Sequence, residues 1–364
     1  MADPGIGDWS RQRVLVTGHS GFIGSWLSVA LRQLGATVVG YASSADGPSA
    51  ERAEWLAGLG VRDVVGDIRD VEKLSAVMAA EPFDTVVHLA AQPLVSQGYA
   101  DPHGTIDTNM RGSLSVLEAT RRTRPPVLLH ITSDKCYRNM GWPWAYREND
   151  ALGGGCPYSI SKAAAEILFE GYAALMEPAP AGTSAASIRF GNVVGGGDFS
   201  VNRLVPDCLA ALAAGHPIEL RQPAAVRPFQ HVLDVVHGLL RAASALRAGA
   251  LPHGEVLNFA PPDGGVEVAR MAAVLAEAWG TPMPEPGAGA EGAVTFREEP
   301  MLLLDGRKAG AYLRWDHLLD LYGCARKTVE WHRRHVAGVS AAVCTSDSTG
   351  AFLDRVAKNA TPAR

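Results

Sequence analysis

The stretch Val14-Leu15-Val16-Thr17-Gly18-His19-Ser20-Gly21-Phe22-Ile23-Gly24 decides the fold of this 364-residue chain. It opens with an apolar, β-branched run, which predicts a strand, and ends in a glycine turn with the spacing GxxGxxG. From Gly24 to Gly35 apolar residues recur at helical spacing, so the turn joins a strand to a helix. Glycines there let the backbone approach a pyrophosphate, which the free N–H groups of the helix N-terminus bind. Glycines alone are also typical of a plain tight turn, and the strand–turn–helix context favours a dinucleotide.

Strands and helices alternate after this unit. Further strands are predicted at residues 37–41, 61–65, 85–89, 127–132 and 186–190. Helices are predicted between and after them at residues 71–80, 105–122, 159–175 and 204–214. This alternation predicts an α/β fold of Rossmann type, a doubly wound parallel sheet with a smaller mixed C-terminal substrate-binding portion.

Three regions are predicted along the chain. Residues 1–190 form the dinucleotide-binding domain and carry the catalytic residues. Residues 191–340 mainly bind the substrate, with late elements such as 256–259 returning to the sheet. Residues 341–364 have weak patterning and are expected to be a C-terminal tail or a frayed helix. The Ala/Gly/Pro-rich stretch 280–292 is expected to be a surface loop.

The composition excludes several classes of protein. With 47% hydrophobic and 20% charged residues the chain can bury a large core, and a net charge of -5 argues against a nucleic-acid partner. Five scattered cysteines without a CxxC pair or a Cys/His cluster indicate no metal site and a reducing, cytoplasmic compartment. No signal peptide and no apolar stretch of the ~20 residues that a membrane span needs are recognised.

Later residues strengthen the dinucleotide prediction. Gly66-Asp67-Ile68 follows the third strand, where a carboxylate can accept from an adenine amino group and an apolar side chain can cover the ring. Leu89-Ala90-Ala91 ends the fourth strand in small residues that allow a flat cofactor to approach. The second strand ends in Tyr41-Ala42-Ser43-Ser44, without the acid that normally binds the ribose 2′-hydroxyl of NAD. NAD is nevertheless preferred over NADP. The cofactor residues are predicted to be Gly18, Ser20, Gly21, Phe22, Ile23, Gly24, Asp67, Ile68, Leu89, Ala90, Ala91, Tyr158 and Lys162.

A catalytic constellation is predicted from five residues. Tyr158 and Lys162 lie four apart at the start of a predicted helix, so they share a face, and the lysine ammonium stabilises a tyrosine phenolate whose ordinary pKa is about 10. The pair can remove a hydroxyl proton while hydride leaves the carbon, and Thr132 can bond the same oxygen. Asp134 and Lys135 follow directly, an acid and a base suited to proton chemistry beyond oxidation. The non-functional alternatives are an exposed loop pair for Asp134 and Lys135 and an ordinary surface helix turn for Tyr158 and Lys162.

Several blocks, in this order, resemble the CDP-glucose 4,6-dehydratases of the extended short-chain dehydrogenase superfamily. They cover residues 12–335, nearly the whole chain, and their combination is more specific than any one motif. They are 17–26, 88–95, Thr132-Ser133-Asp134-Lys135-Cys136-Tyr137, 146–150, Pro157-Tyr158-Ser159-Ile160-Ser161-Lys162, 191–198 and 227–232.

The resemblance implies a lyase that holds NAD and dehydrates a nucleoside-diphosphate hexose to the 4-keto-6-deoxy sugar. CDP-glucose is the preferred candidate substrate. It assigns hydride transfer to Thr132, Tyr158 and Lys162, and elimination to Asp134 and Lys135. It also implies a homodimer formed by the helices at 105–122 and 159–175. Substrate contacts are expected from Gln92, Asn192, Arg203, Arg227 and His231.

Some positions depart from the family pattern. Ile23 stands where the family often has lysine, and the C-terminal third, which shapes the substrate pocket, matches less well. A dehydratase of another nucleotide sugar, a 4-epimerase and a non-catalytic NAD-binding regulator are therefore alternatives. Trp142 and Trp144 belong either to a lid or to a packed aromatic surface.

Overall fold

A computed structural model describes residues 5–43, 47–261, 264–281 and 299–360. In these residues a seven-stranded parallel sheet has the order β10-β6-β5-β4-β1-β2-β3. The strands of this sheet are β1 Arg13–Thr17, β2 Thr37–Ala42, β3 Arg62–Val65, β4 Thr85–His88, β5 Val127–Ile131, β6 Ser184–Phe190 and β10 Glu255–Phe259. Two short pairs lie beside it: β7 Val193–Val194 with β9 Gln230–His231, and β8 Val226–Arg227 with β11 Val266–Glu267.

Helices cover both faces of the sheet. In chain order they are α1 Phe22–Gln33, α2 Pro48–Gly58, α3 Val71–Ala80, α4 Val95–Ala100, α5 Pro102–Ile106, α6 Gly112–Thr123, α7 Pro157–Leu175, α8 Leu204–Ala214, α9 Val232–Arg247, α10 Val268–Trp279, α11 Arg307–Leu313, α12 Leu321–Val336 and α13 Ala341–Ala360. No helix in the described ranges is both long and apolar enough to span a membrane.

The first strand explains the two-sided architecture. Successive side chains of a strand point to opposite faces, and in β1 all three apolar residues are fully buried. Val14 and Val16 belong to the hydrophobic cluster on one side of the sheet, and Leu15 to the cluster on the other. Burial on both faces is what makes such strands uniformly apolar, so the predicted doubly wound sheet is confirmed.

The chain returns to the sheet late in the sequence. Strand β10 pairs in parallel with β6, with Val256 opposite Ser187 and Phe259 opposite Phe190. The edge strand thus comes from the region predicted to bind the substrate. Helix α9 is buried along almost its whole length because it packs against β5, β6 and α1. No helix was predicted here, although its apolar residues recur at helical spacing between polar ones such as Asp234 and Arg241.

Two helical segments differ from the prediction. The helix predicted at 105–122 contains a wider π turn at Asp107–Arg111, which places the buried Asn109 side chain against Gln92 and Ser161. The segment expected to be a tail or a frayed helix forms the 20-residue helix α13, which packs on α1 and α12. Its buried side chains include several small or polar ones, such as Cys344 and Thr349, and this weakens the apolar pattern. Most of the predicted surface loop at 280–292 lies outside the described residues.

Candidate active site

A cavity of about 850 Å³ lies beyond the carboxyl ends of β4, β5 and β6, facing the C-terminal portion. Ligands of open α/β sheets bind at this edge. The cavity brings together all five predicted catalytic residues with Ile23, Leu89 and Ala91 on one side and Asn192, Arg203 and Arg227 on the other.

The glycine turn leaves no room for side chains. Gly18 has a φ of +73°, and a Cβ there would lie 2.8 Å from the Ala90 backbone. A Cβ at Gly24 would lie 2.2 Å from the Gly18 carbonyl oxygen. In the described residues no side chain caps the N-terminus of α1, which begins at Phe22 and has no acidic residue in its first turn. Its free N–H groups and partial positive charge therefore suit a pyrophosphate.

The remaining predicted cofactor residues lie around this turn. Ala90 follows β4 beside Gly18, and its N–H donates to the Thr17 hydroxyl. Ile68 is buried against Gly112 at the start of α6. The Asp67 carboxylate, which was expected to bind the adenine amino group, accepts from Arg69, and this interaction lowers its pKa.

Arg52 was not predicted as a site residue. From α2 its guanidinium donates to the Ser20 carbonyl oxygen at 2.7 Å and to the Gly197 carbonyl oxygen at 3.0 Å. It therefore joins the cofactor turn to the loop that follows β7. A helix missed by the pattern analysis carries this arginine, so the sequence offered no signal for it.

Helix α7 carries three buried ionisable side chains one turn apart, Tyr158, Lys162 and Glu166. Tyr158 and Lys162 line the cavity. Burial raises the pKa of Tyr158 to about 12, and a hydrogen bond with Ser133 opposes this shift. Burial lowers the pKa of Lys162 to about 8, against the opposing charge of Glu166. A cationic nicotinamide and the ammonium of Lys162 would both favour the tyrosine phenolate.

The Thr132 hydroxyl was predicted to bond the substrate oxygen that Tyr158 deprotonates. In the structure Thr132 borders the cavity, and its hydroxyl donates to the Glu166 carboxylate. The hydroxyl of Ser133, the next residue, acts to lower the pKa of Tyr158. Adjacent residues of an extended chain point to opposite sides, so the two hydroxyls face different groups.

Glu166 is the centre of a buried network behind the site. It accepts from Thr132, from the Ser187 hydroxyl at 2.7 Å and from the Arg189 guanidinium at 2.7 Å. Despite burial, which acts the other way, Arg189 lowers the pKa of Glu166. Arg189 also donates to the Tyr137 hydroxyl at 2.8 Å. The network fixes the end of β5 and thereby the residues that follow it.

Asp134 and Lys135 occupy the turn after β5. Asp134 is 2% exposed, and its Oδ1 accepts from the Ser133 hydroxyl at 2.8 Å. Its Oδ2 has no hydrogen-bond partner among the described residues and lies against Gly191. Lys135 is half-buried and borders the same cavity. An acid and a base therefore lie together beside Tyr158.

Two predicted substrate residues do not face the cavity. The Gln92 amide donates to the Thr105 hydroxyl at 2.7 Å and to the Leu94 carbonyl oxygen at 3.1 Å, so it holds the chain after β4. His231 is 1% exposed, and its Nδ1 accepts from the Leu233 N–H at the start of α9. Burial lowers the pKa of His231 to about 3. Both positions stabilise the fold, and neither is among the described residues that line the cavity.

The other three substrate candidates face the cavity from the opposite wall. Asn192 lies between β6 and β7, and its carbonyl oxygen accepts from the Gln230 N–H. Arg203 is 3.4 Å from Asp198. Arg227 is 7% exposed and donates to the Glu299 carbonyl oxygen at 2.5 Å. Guanidinium groups at a cavity wall suit the oxygens of a diphosphate.

The Trp142/Trp144 segment is a packed aromatic surface. Trp144 stacks on Trp142 at 5.3 Å between ring centroids, Trp142 on Tyr146 at 5.5 Å, and Tyr146 on Tyr137 at 5.3 Å. Tyr146 also pairs by its backbone with the segment around Leu304. Neither tryptophan belongs to the described cavity lining.

A Tyr–Lys pair beside a dinucleotide turn assigns the protein to the Rossmann-fold enzymes that move hydride between a nicotinamide and a hydroxyl-bearing carbon. Residues 14–260 match the model of the NAD dependent epimerase/dehydratase family. The chain belongs to that family. NAD is accordingly its cofactor, and the glycine turn, the uncapped α1 N-terminus and the buried lysine fit this molecule.

The similar proteins include both dehydratases and epimerases. A CDP-glucose 4,6-dehydratase from Salmonella typhimurium is 36% identical over 352 residues, covering 95% of this chain and 97% of that protein. DesIV, a dTDP-glucose 4,6-dehydratase from Streptomyces venezuelae solved with NAD and TYD bound, shares the fold with a TM-score of 0.74 and 24% identity, over 91% of this chain and 99% of that one. A UDP-glucose-4-epimerase from Stenotrophomonas maltophila with bound NAD and formylated UDP-arabinopyranose has a TM-score of 0.75 and 25% identity, over 90% of this chain and 100% of that one.

Proposed function

We propose that this protein is a lyase that dehydrates a nucleoside-diphosphate hexose, CDP-glucose, to its 4-keto-6-deoxy form. The observation that carries the proposal is the pair Asp134 and Lys135, an acid and a base at the cavity beside Tyr158. An enzyme that only oxidised and reduced carbon 4 would need no such pair. Similarity to the CDP-glucose 4,6-dehydratase of Salmonella typhimurium over almost the full length of both chains supports the same activity and base.

Each step can be assigned to a residue. Bound NAD supplies a reversible hydride acceptor. Tyr158, with the Lys162 ammonium beside it, takes the proton of the sugar 4-hydroxyl, and Ser133 bonds the same oxygen. The resulting 4-ketone acidifies the proton on carbon 5, which Lys135 removes. Asp134 protonates the departing 6-hydroxyl, and hydride returns to carbon 6.

The opposite wall supports a nucleoside diphosphate as the substrate class. We assign the diphosphate to Arg203 and Arg227, and a sugar or phosphate oxygen to Asn192, because all three border the cavity. Planar guanidinium donors match paired phosphate oxygens better than an ammonium does.

The test uses purified protein with NAD and a panel of CDP-, dTDP-, GDP- and UDP-glucose, analysed by mass spectrometry. We expect the CDP sugar to lose the mass of one water. Loss from another sugar would support the reaction and replace the base. Unchanged mass together with altered anomeric NMR signals would establish an epimerase, and unchanged substrate throughout would contradict the proposed function.

We also propose a homodimer formed by the helices predicted for it, now α5 to α7. Helices α6 and α7 contact each other, and outward-facing apolar residues lie along them. These residues are Met110, Leu114, Ile160 and Ile167, which are 38–60% exposed. Apolar side chains this exposed on neighbouring helices are typical of a covered surface. Light scattering should give a mass of two chains for the wild type and of one chain for the variant Ile167→Arg.

We also propose that different parts of the chain bind the cofactor and the substrate. Residues 1–190 bind NAD and carry the catalytic groups, while residues 191–340 mainly bind the nucleotide sugar, which the positions of Asn192 and Arg203 support. A reducing compartment such as the cytoplasm is favoured because all five cysteines are buried free thiols.

A further inference from the structure

Arg52 connects a segment that faces the cofactor with a segment that leads to the substrate wall. Its Nε donates to the Ser20 carbonyl oxygen at 2.7 Å, and its Nη1 donates to the Gly197 carbonyl oxygen at 3.0 Å. Ser20 lies within the glycine turn, and Gly197 lies in the loop between β7 and α8. These segments are far apart along the chain, so one guanidinium joins two regions that the backbone does not connect.

On the cofactor side, the bond from Arg52 orients a peptide group of the turn. A peptide unit is planar, so a donor on the Ser20 carbonyl oxygen also sets the direction of the Gly21 N–H. That N–H donates to the Gly18 carbonyl oxygen at 3.0 Å, which closes the turn immediately before the free N–H groups of α1. Arg52 therefore stabilises the closed turn, on which binding of a pyrophosphate depends.

On the substrate side, the same guanidinium orients the peptide between Gly197 and Asp198. The Asp198 side chain is 5% exposed and lies 3.4 Å from the Arg203 guanidinium. Its Oδ1 accepts from the Ser200 N–H at 3.1 Å. Arg203 borders the cavity, and the proposed function assigns it to the diphosphate of the substrate. A change in the peptide that Arg52 holds therefore moves the carboxylate that positions Arg203.

The helix that carries Arg52 has a small buried face. Within α2, Pro48–Gly58, Leu56 is the one residue that is fully buried. Segments with few buried apolar contacts open locally at a low cost in free energy. A ligand that orders either acceptor of Arg52 therefore also orders this arginine, and a second ligand then binds at a lower cost in conformational entropy.

We propose that Arg52 is a positioning residue that couples the two ligand sites, so that a bound nucleoside diphosphate tightens the binding of NAD. By linkage, NAD tightens the binding of the nucleotide by the same factor. The coupling rests on the proposed function, which supplies the nucleotide-sugar site. In that reaction the reduced cofactor must stay bound until hydride returns to the sugar, and tighter binding while substrate is present prevents its loss.

The test is equilibrium dialysis of the full-length protein against NAD, with and without saturating CDP, which has the diphosphate but no sugar to react. In the wild type, CDP should lower the Kd of NAD ~10-fold, within the ~5–150-fold range of coupling between sites. In Arg52→Met, which keeps a long side chain without donors, this ratio should fall below ~2-fold. Arg52→Lys keeps the positive charge but lacks the planar guanidinium, so its ratio should be intermediate.

Arg32→Met is the matched control. Arg32 lies on α1 and also joins two carbonyl oxygens, those of Leu59 at 3.1 Å and Ala36 at 2.6 Å. Neither acceptor lies in the glycine turn or in the loop between β7 and α8, so the control should keep the wild-type ratio. A wild-type ratio in Arg52→Met would overturn the coupling. Equal loss of the ratio in Arg52→Met and Arg32→Met would also overturn it, because Arg52 would then act only on the stability of the fold.

A second measurement covers the case in which Arg52→Met does not fold, as judged by circular dichroism. Amide hydrogen exchange of the full-length wild type is followed in peptides that cover residues 18–24, at an NAD concentration well below its Kd. Addition of CDP should slow exchange in this turn, although the nucleotide is assigned to the opposite wall of the cavity. Unchanged exchange in the turn would overturn the coupling.

The same titrations separate the coupling from the proposed function. They are repeated with dTDP, GDP and UDP. If none of the four diphosphates binds, the proposed substrate class and the coupling both fail. Binding that leaves the Kd of NAD unchanged contradicts the coupling alone. The expected ratios without dehydration of any sugar in the mass-spectrometry panel support the coupling and contradict the proposed reaction alone.

Discussion

The turn that faces the cofactor and the wall that faces the substrate are built in different ways. The turn is local: residues 14–24 contain the strand, the glycines and the start of α1, and its tight contacts involve the backbone of Gly18. The wall joins distant segments, for example Arg227 with Glu299 and the Gln230 N–H with the Asn192 carbonyl oxygen. A local motif accepts few residue types at each position, so it can be recognised in a single sequence. A wall assembled from loops can vary and so determine substrate specificity.

The largest expected effect comes from breaking the chemistry next to the turn. Lys162→Met should lower kcat by ~10²–10⁴-fold while the protein still binds nucleotide sugar, because the phenolate of Tyr158 loses its cation. The pKa of Lys162 is lowered to about 8, so in the wild type the ammonium is lost as pH rises through that value and activity falls. A pH profile of kcat should show this alkaline limb in the wild type and not in the variant. The same limb in both would exclude Lys162 as its source.

The next effect tests how intolerant the turn is. In Gly24→Ala the new Cβ would meet the Gly18 carbonyl oxygen at 2.2 Å, and relieving such overpacking costs ~1–3 kcal/mol. NAD retained by the purified protein should fall by up to ~100-fold. Gly58→Ala is the matched control, since a Cβ at this α2 position meets nothing within 4 Å. Equal NAD content in the two variants would show that the turn adapts.

A smaller effect is expected at the wall. Arg203→Ala should raise KM about 10-fold with little change in kcat, because a hydrogen bond to a charged group contributes ~1.5–3 kcal/mol and the ion pair with Asp198 is partly exposed. Arg203→Lys keeps the positive charge but lacks the planar guanidinium, so its KM should lie between those of the wild type and Arg203→Ala. If kcat falls as much as kcat/KM, the arginine acts in the transition state, and the wall then contributes to the chemical step as well as to substrate binding.

The smallest effect is expected outside both regions. Trp144 is exposed at the outer end of the aromatic stack, so Trp144→Ser should change stability by less than ~0.5 kcal/mol and leave KM unaltered. Thermal unfolding and steady-state kinetics measure both. A raised KM would indicate that this surface closes over the substrate.

What the sequence predicts follows the same division. The strands of the sheet and helix α3 were placed within a few residues. Most of these strands are buried on both faces and form continuous apolar runs, although the edge strand β3 is largely exposed. Helix α2, which carries Arg52, was missed because its pattern is weak, whereas α9 was missed although its apolar residues recur at helical spacing. For α2, tertiary packing, and not local preference, determines the helix.

The site shows the same limit at the level of single side chains. Tyr158 and Lys162 were placed because four residues are one helical turn. The sequence did not predict that the Thr132 hydroxyl faces Glu166, because that contact depends on a helix more than thirty residues away. Gln92 and His231 lie in motifs near the cavity, but they stabilise the backbone around it.

The packing of α13 on α1 has a consequence for how the protein is made. Helix α1 carries the dinucleotide turn and leaves the ribosome long before residues 341–360. Contacts this distant along the chain form slowly, because loop closure must precede them. During synthesis the side of α1 that α13 covers therefore stays exposed until more than three hundred further residues have been made.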